Sequence, residues 1–387
     1  MLKRLVSPLA VVSLLALLVS ACASPRPTAA PGAAPAAAPA AKPAGRQAAQ
    51  AAATPDYFAG KTITLLVNYS ASGPTDVFAR LLTQHMDRHI PGHPTLIVEN
   101  KAGAGGLIGK NHVYNVVRKD GLTMGVFSSV FGHQLVSGEG VQYDSAGFQW
   151  VGGISETSVG FAHSSLGVRT MRELTTTPNE IIAGGLAPDT AKDMAIRTSL
   201  NLLGLKYKYV TGYPGSADAR LAFARGELNY YEDSLVSWFS GFAPLAKDGT
   251  AVLLSQRGIP RNGEIVRDPR VGDLPTYNEV AVELRGESAR QSIDYRAMSA
   301  LTLLSAISIA VVYPPGVDPT HVETMRKALA DTFEDPEFQA TVEKQLGYQL
   351  LTISGTEAQE LAEKIIRDAR EDPDALEYLR RLSREKQ

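Results

Sequence analysis

The strongest constraint on the fold is a repeated order of strand, loop and helix. The pattern of apolar residues predicts a strand over residues 61–68 and a helix over 76–89, then a strand over 95–99 and a helix over 107–117. A third strand is predicted over residues 122–128. Strands joined by helices lie parallel, so this order predicts a parallel sheet covered by helices, with ligands at the carboxyl ends of the strands.

The alternation continues in the second half of the chain, which predicts a second α/β lobe. Residues 298–313 are strongly apolar but contain four hydroxyl residues and stop at Pro314-Pro315. We therefore predict a buried helix end and a return strand there rather than a membrane span. Further strands are predicted at 180–183 and 207–209, and further helices at 192–203, 216–225, 319–333 and 357–369.

Length and charge limit the domain organisation and the partners. The chain has 387 residues and a formal net charge of −2. At roughly 100 to 200 residues per domain, this length predicts two lobes after a leader is removed. We assign lobe 1 to residues 56–158, lobe 2 to 159–303, and a return to lobe 1 with the C-terminal helices to 304–387. Because basic residues are not in excess, we predict no nucleic-acid partner.

The N-terminal residues resemble the export signal of a bacterial lipoprotein. A short basic region precedes an apolar stretch over residues 9–19, which is too short to span a bilayer. Residues 19–22 (VSAC) are similar to a lipobox, in which the chain is cut before a lipid-bearing cysteine. We predict a signal peptide over 1–21, a lipid anchor on Cys22, and an Ala- and Pro-rich linker over 22–55. The alternative is a plain secretory signal with a free thiol.

Two motifs that would indicate an enzyme or a cofactor fail on spacing. In the glycine-rich loop, Ile108 stands where a dinucleotide fingerprint counted from Gly103 needs its third glycine. His85, His89 and His93 follow one another around a predicted helix end, but their order is not H-E-x-x-H, and a solvated helix end is the preferred interpretation. The body has neither a G-x-S-x-G motif nor a cysteine nucleophile, so we predict no cofactor, no metal and no catalysis.

Two loops of small residues precede predicted helices and leave backbone N–H groups exposed. They are residues 70–75 and residues 100–106. The start of a helix carries unpaired N–H groups and about half a positive charge, so it attracts anions such as carboxylates. The alternative is that both loops are merely glycine-rich connections.

Five stretches in the same order resemble one family, the substrate-binding receptors of tripartite tricarboxylate transporters, also called Bug receptors. They are residues 61–80, 98–109, 212–227, 273–276 and 314–318. The resemblance implies a two-lobed α/β periplasmic-binding-protein fold of type II-like form, with a mostly parallel sheet in each lobe and crossover strands between them. It also implies that a small carboxylate is captured between the lobes and passed to the membrane permease subunits of such a transporter.

The resemblance also implies which residues hold the ligand. They come from the loop after the first strand, from the end of the third strand, and from two stretches of the second lobe. The expected ligand-binding residues are Tyr69, Ser70, Ala71, Ser72, Gly73, Thr75, Asp76, Ser128, Ser129, Gly185, Asp189, Thr190, Asp233 and Ser234.

Departures from the family pattern leave the ligand open. Ser72, Pro74 and residues 184–193 differ from the commoner forms, and Glu232-Asp233 would repel a second carboxylate if it faced the cleft. A monocarboxylate, an amino-bearing acid, or an aromatic acid near Tyr230-Tyr231 all remain open. The alternative for the acidic pair is a solvated hinge turn. Two other functions also stay open: a sensor that acts on a partner kinase, and a catalytic lipoprotein.

Overall fold

The structure is a computed structural model that describes residues 57–261 and 264–385. The described residues lie in one compact unit. The predicted signal peptide, the lipid anchor on Cys22 and the linker lie outside the described residues. Within the described ranges, no helix is both long and apolar enough to cross a membrane.

The described chain alternates strands and helices along most of its length. The strands are β1 (Thr62–Val67), β2 (Thr95–Asn100), β3 (Thr123–Ser128), β4 (Gln149–Ser155), β5 (Ser158–His163), β6 (Ile181–Gly184), β7 (Tyr207–Val210), β8 (Tyr230–Ser234), β9 (Ala251–Gln256), β10 (Ile259–Arg261), β11 (Glu264–Val266), β12 (Ile309–Tyr313) and β13 (Leu351–Ser354). The helices are α1 (Pro74–His85), α2 (Leu107–Asn115), α3 (Val130–Gly132), α4 (Met171–Leu174), α5 (Ala191–Leu202), α6 (Ser216–Ala224), α7 (Leu235–Ser237), α8 (Ala243–Lys247), α9 (Tyr277–Arg285), α10 (Ile293–Leu304), α11 (Pro319–Glu334), α12 (Pro336–Leu346), α13 (Gly355–Ala369) and α14 (Pro373–Arg384).

The strands form two larger sheets, which confirms the predicted α/β class. The first sheet has the order β13-β4-β12-β3-β1-β2, and the second has the order β7-β6-β8-β5-β9. Both sheets are mixed rather than mostly parallel. Strand β1 pairs in parallel with β2 and β3, whereas β12 pairs antiparallel with β3 and β4. In the second sheet β6 runs parallel to β7 and β8, but β5 runs antiparallel to β8 and β9.

Strand β1 shows why its sequence forms a strand buried on both faces. Side chains alternate between the faces of a sheet, so Leu65 and Val67 pack into one hydrophobic core and Leu66 packs into another. All three side chains are buried. A run of apolar residues is therefore needed here instead of alternation with polar residues.

Helix α1 begins earlier and ends earlier than predicted. Gly73 is the N-cap with an extended backbone, and Pro74 occupies the first turn, where its missing N–H costs nothing. The α-helix ends at His85, and residues 86–89 continue as a 3-10 turn in which His89 and Arg88 pair with Asp335. This pairing with the start of α12 fixes the turn.

The chain passes from the first sheet to the second between β4 and β5, through Glu156 and Thr157 alone. It returns through α10 and β12, as predicted for residues 298–313. The lobe boundaries assigned from sequence stay predictions. These connections bring residues from both sheets to a common cavity.

Candidate functional site

A cavity of about 770 Å³, counted with its open mouth, is lined by residues from both sheets and from the segments that join them. Its polar lining residues are Tyr69, Thr75, Ser128, Ser129, Glu156, Ser158, Lys192, Ser216, Asp233, Ser234, Arg257, Ser305 and Ser308. Its remaining lining residues are Gly73, Pro74, Leu186, Ala191, Leu304, Ile307 and Ile309. This mixture of apolar and polar groups is typical of a site for a small molecule.

Two hydroxyls from the first sheet lie together in the wall. Thr75 is in the first turn of α1, and its Oγ1 lies 3.2 Å from the Oγ of Ser128 at the end of β3. Asn68 fixes Ser128, because its Nδ2 donates to the Ser128 carbonyl at 3.1 Å and its Oδ1 accepts from the Ser128 N–H at 3.4 Å. The pair thus lies beside the positive end of a helix dipole.

Ser129 has an unusual backbone conformation that a buried lysine supports. Its φ of 56° lies in the left-handed region, which is uncommon for a residue other than glycine. Its carbonyl accepts from Nζ of Lys110 at 2.8 Å, and that nitrogen also lies 2.8 Å from Nδ1 of His133. Burial lowers the pKa of Lys110 to about 7. The strained serine next to the cavity is therefore held by contacts behind the wall.

Asp76 holds the loop before α1 and does not line the cavity. Its carboxylate accepts from the Ser72 N–H at 2.9 Å, from Asn100 at 3.0 Å and from the Arg80 guanidinium. Burial opposes the charge of Asp76, but these hydrogen bonds outweigh that cost and lower its pKa. The bond to the Ser72 N–H supports that residue in its left-handed conformation, with a φ of 64°.

The second sheet contributes Lys192 and Asp233 as a pair. Nζ of Lys192, near the start of α5, lies 2.9 Å from Oδ1 of Asp233 on β8. The same nitrogen contacts the hydroxyl of Ser216 and lies 3.3 Å from that of Tyr231. Asp233 is fully buried, so Lys192 compensates a charge that would otherwise be very unfavourable.

Arg257 and Glu232 form a second buried pair beside the first. The guanidinium donates to Glu232 through Nε at 3.0 Å and also through Nη2. It donates further to the hydroxyl of Ser158 at 2.9 Å and to that of Ser305 at 2.7 Å. The interpretation of Glu232-Asp233 as a solvated hinge turn is wrong. Both residues are fully buried on β8, because each has a cation from a distant part of the chain.

Glu156 lies in the short connection between the two sheets. Its Oε2 accepts from the Val236 N–H and from the Tyr348 hydroxyl, each at 3.1 Å. Burial raises the pKa of Glu156 to about 7, although Arg270 and these hydrogen bonds act in the opposite direction. Near neutral pH this carboxyl group is therefore close to the midpoint between its charged and uncharged forms.

The predicted residues of the loop before α5 have structural contacts. The Thr190 side chain caps α5 by accepting from the Asp193 N–H. A side chain at Gly185 would collide with the Asp193 carboxylate, whose Oδ2 accepts from the Leu186 N–H at 3.0 Å. Oδ2 of Asp189 lies 3.6 Å from Nε2 of His133. These contacts place Leu186, Ala191 and Lys192 in the cavity wall.

Other candidate groups lie away from the cavity lining. The Tyr230 and Tyr231 rings are fully buried, so neither is available to stack on an aromatic acid. The glycine-rich loop supports Tyr69, whose hydroxyl donates to the Gly105 carbonyl at 2.7 Å. Nε2 of His89 lies 2.8 Å from Asp335, and across the described residues no group of three or more His, Cys, Asp or Glu side chains is arranged to hold a metal.

Seven of the predicted ligand-binding residues line the cavity, and seven do not. Those in the lining are Tyr69, Gly73, Thr75, Ser128, Ser129, Asp233 and Ser234. Those outside it are Ser70, Ala71, Ser72, Asp76, Gly185, Asp189 and Thr190. Sequence reasoning missed the polar lining residues Glu156, Ser158, Lys192, Ser216, Arg257, Ser305 and Ser308. The one available signal was Lys192, which closely follows the helix cap at Thr190. Ligand contact by any of these residues stays a prediction.

Comparisons with known proteins give one sequence relative and many similar structures. No protein-family model matches the chain. The relative is "UPF0065 protein in gbd 5'region" of Cupriavidus necator, which is 23% identical over 300 residues, covering 76% of this chain and 81% of the relative.

The similar solved structures include the periplasmic binding protein BugD, with a TM-score of 0.64 and 21% identity over 84% of this chain and 99% of BugD. MatC from Rhodopseudomonas palustris with bound malate has a TM-score of 0.61 and 17% identity over 82% of this chain and 99% of MatC. R. palustris Rpa4515 with adipate has a TM-score of 0.62 and 20% identity over 81% of this chain and 97% of that protein. These neighbours include the periplasmic binding protein BugD, which confirms the predicted resemblance to Bug receptors, and the chain has their two-lobed α/β fold.

Proposed function

We propose that this chain is an extracytoplasmic solute-binding receptor that captures a small carboxylate between its two lobes. The observation that carries the proposal is the cavity itself, because both sheets and the connections between them supply its walls. A ligand held there contacts both lobes at once. Its binding energy then favours the closed arrangement over the open one.

The carboxylate would bind at Thr75 and Ser128. Their hydroxyls can donate hydrogen bonds, and the start of α1 supplies a partial positive charge beside them. Hydroxyl groups beside the start of a helix can hold an anion without an arginine or a lysine. The similar proteins whose structures contain malate and adipate support a carboxylate as the ligand class.

The same resemblance supports export, transport and capture without catalysis. We infer that the receptor faces the periplasm, that the lipid on Cys22 holds it on a membrane, and that it delivers its ligand to the permease subunits of a tripartite tricarboxylate transporter. Two or more acyl chains would make the anchor stable, since a single chain gives only marginal binding. Incorporation of labelled fatty acid into the wild type but not into Cys22→Ala tests the anchor, and equal incorporation contradicts it.

Thermal melting of the full chain against a panel of mono-, di- and tricarboxylates tests the function. A ligand at about 100 times its dissociation constant adds about 2.7 kcal/mol of stability, which raises the melting temperature by several degrees. Neutral amides with the same carbon skeletons are the matched control, and we expect no shift with them. If no acid raises the melting temperature, or if each amide does so equally, carboxylate capture is wrong.

A further inference from the structure

The charged groups around the cavity leave one carboxyl group without an ion pair of its own, although Arg270 acts on it electrostatically. Lys192 pairs with Asp233, and Arg257 pairs with Glu232. Behind the wall, Arg270 pairs with Asp268. Glu156 forms no ion pair with any lysine, arginine or histidine in the described part of the chain, although it lines the same cavity.

Glu156 also has unused capacity to accept hydrogen bonds. Its Oε2 is occupied by the Val236 N–H and the Tyr348 hydroxyl, but its Oε1 has no hydrogen-bond partner among the described residues. The residue is only 5% exposed, so bulk water does not replace the missing partner over most of its surface. A buried acceptor in this state is unfavourable unless something else binds it.

Asp233 presents a second such oxygen in the same cavity wall. Its Oδ1 accepts from Lys192 and from the Ser234 N–H at 2.8 Å, whereas its Oδ2 has no hydrogen-bond partner among the described residues. Asp233 is 0% exposed. Two residues that line this cavity, one in the connection and one on β8, thus each have a buried carboxylate oxygen that lacks a donor among the described residues.

We propose that these two oxygens receive an ammonium group, so that the ligand is an amino-bearing carboxylate. An ammonium has three N–H donors and a positive charge, so it supplies the missing hydrogen bonds and gives Glu156 a cation in direct contact. A second carboxylate at the same place would add a negative charge next to two others and would find both nearby cations already paired. The inference rests on the proposed function, because the carboxylate of the same ligand would occupy Thr75 and Ser128.

Binding of such a ligand should also release protons. The groups that act on Glu156 are Arg270, Tyr348, Ser234 and the Val236 N–H, and Asp233, Lys192 and Arg257 line the same cavity. An ammonium beside Glu156 favours its charged form and lowers its pKa from about 7. Binding at pH 7 should then release roughly half a proton, because about half of the carboxyl groups carry one beforehand.

Isothermal titration calorimetry on the full chain with matched ligand pairs tests the proposal. The pairs differ only in the amino group: succinate and aspartate, glutarate and glutamate, pentanoate and 5-aminopentanoate. We expect the amino member of at least one pair to bind ten-fold or more tightly than its partner. Titration in two buffers of different ionisation enthalpy should show proton release with that member and none with its partner.

Two variants connect the preference to Glu156. In Glu156→Gln the preference should fall to two-fold or less and the proton release should vanish, whereas Glu227→Gln, the same change at an exposed position, should keep both. Equal binding of both members in the wild type overturns the inference and leaves carboxylate capture standing, and this result needs no variant to fold. A preference that survives in a folded Glu156→Gln also overturns it. If neither member of any pair binds, carboxylate capture itself fails for these acids and the inference fails with it.

Discussion

The two sheets contribute different chemistry to the cavity. The first sheet and its loops supply uncharged groups, including the hydroxyls of Thr75 and Ser128. The second sheet supplies Lys192, Asp233 and Arg257, and the connection between the sheets adds Glu156. The wall from the first sheet thus attracts an anion through hydroxyls and a helix dipole, and we call it the hydroxyl wall. The wall from the second sheet and the connection contains buried charged groups, and we call it the charged wall.

The two walls differ in the free energy that it costs to bury them. Taking charges out of water is expensive, and a buried ion pair offsets this cost only with good geometry and further hydrogen bonds. Arg257 meets that condition, because it bonds Glu232, Ser158 and Ser305 together. The hydroxyl wall needs no such compensation. We therefore expect substitutions in the charged wall to change stability and substitutions in the hydroxyl wall to change mainly affinity.

The largest effect should come from breaking a buried pair. Arg257→Met leaves Glu232 charged and fully buried, and such losses cost about 3–5 kcal/mol. The free energy of unfolding, measured by chemical denaturation without ligand, should fall by that amount.

The double variant Arg257→Met with Glu232→Gln is the control for this experiment. It removes both charges, so most of the lost stability should return. If Arg257→Met alone lowers the free energy of unfolding by less than about 1 kcal/mol, Arg257 does not compensate the buried charge of Glu232.

The second effect follows from the raised pKa of Glu156. Its pKa in the folded protein is about 7, against an ordinary value of 4.5, so the folded protein binds this proton more tightly than the unfolded chain. The stability that Glu156 contributes is therefore fully present below about pH 4.5 and is lost progressively as the pH rises through about 7. A difference of this size between the folded and unfolded pKa corresponds to about 3 kcal/mol.

The measurement is the difference in unfolding free energy between the wild type and Glu156→Gln across that pH range. The comparison cancels the titration of all other carboxyl groups. The amide in the variant has no carboxyl proton to lose, so the wild type should weaken relative to the variant as the pH rises. A difference that stays constant from about pH 4.5 to 7 would show that Glu156 titrates normally.

Sequence reasoning reached Thr75 and Ser128 of the hydroxyl wall by two different routes. Thr75 lies in the first turn of the helix that follows β1, and Ser128 ends β3. Because β1 and β3 are parallel neighbours, their carboxyl ends lie at the same edge of the sheet. The pattern of the loop predicts Thr75, whereas Ser128 was expected only from the family resemblance, and the structure brings their hydroxyls to 3.2 Å.

The charged wall depends on contacts between distant positions. Glu232 and Asp233 are polar neighbours that suggest a turn, and only the cations at 257 and 192 make their burial on a strand acceptable. Glu232 lies on β8, whereas Arg257 comes 25 residues later and directly follows β9. The antiparallel pairing in the first sheet was hard to predict for the same reason. Strand β12 joins that sheet only after the chain has completed the second sheet.

The smallest effect should come from the hydroxyl wall. Thr75→Val keeps the shape of the side chain but removes its hydroxyl. One lost hydrogen bond to the ligand should weaken carboxylate binding by about 0.5–1.5 kcal/mol, or roughly 2- to 13-fold, with the melting temperature of the free protein nearly unchanged. The matched control is Thr83→Val on the same helix, whose exposed hydroxyl donates to the Arg80 carbonyl at 2.9 Å.

This last variant also separates the two walls by what they recognise. Because every carboxylate ligand would use the Thr75 hydroxyl, Thr75→Val should weaken an amino-bearing acid and its plain partner by the same factor. A substitution at Glu156 should instead change the ratio between them. If Thr75→Val changes that ratio, the two walls do not act on separate ends of the ligand. If it weakens neither acid more than Thr83→Val does, the carboxylate is held elsewhere in the cavity.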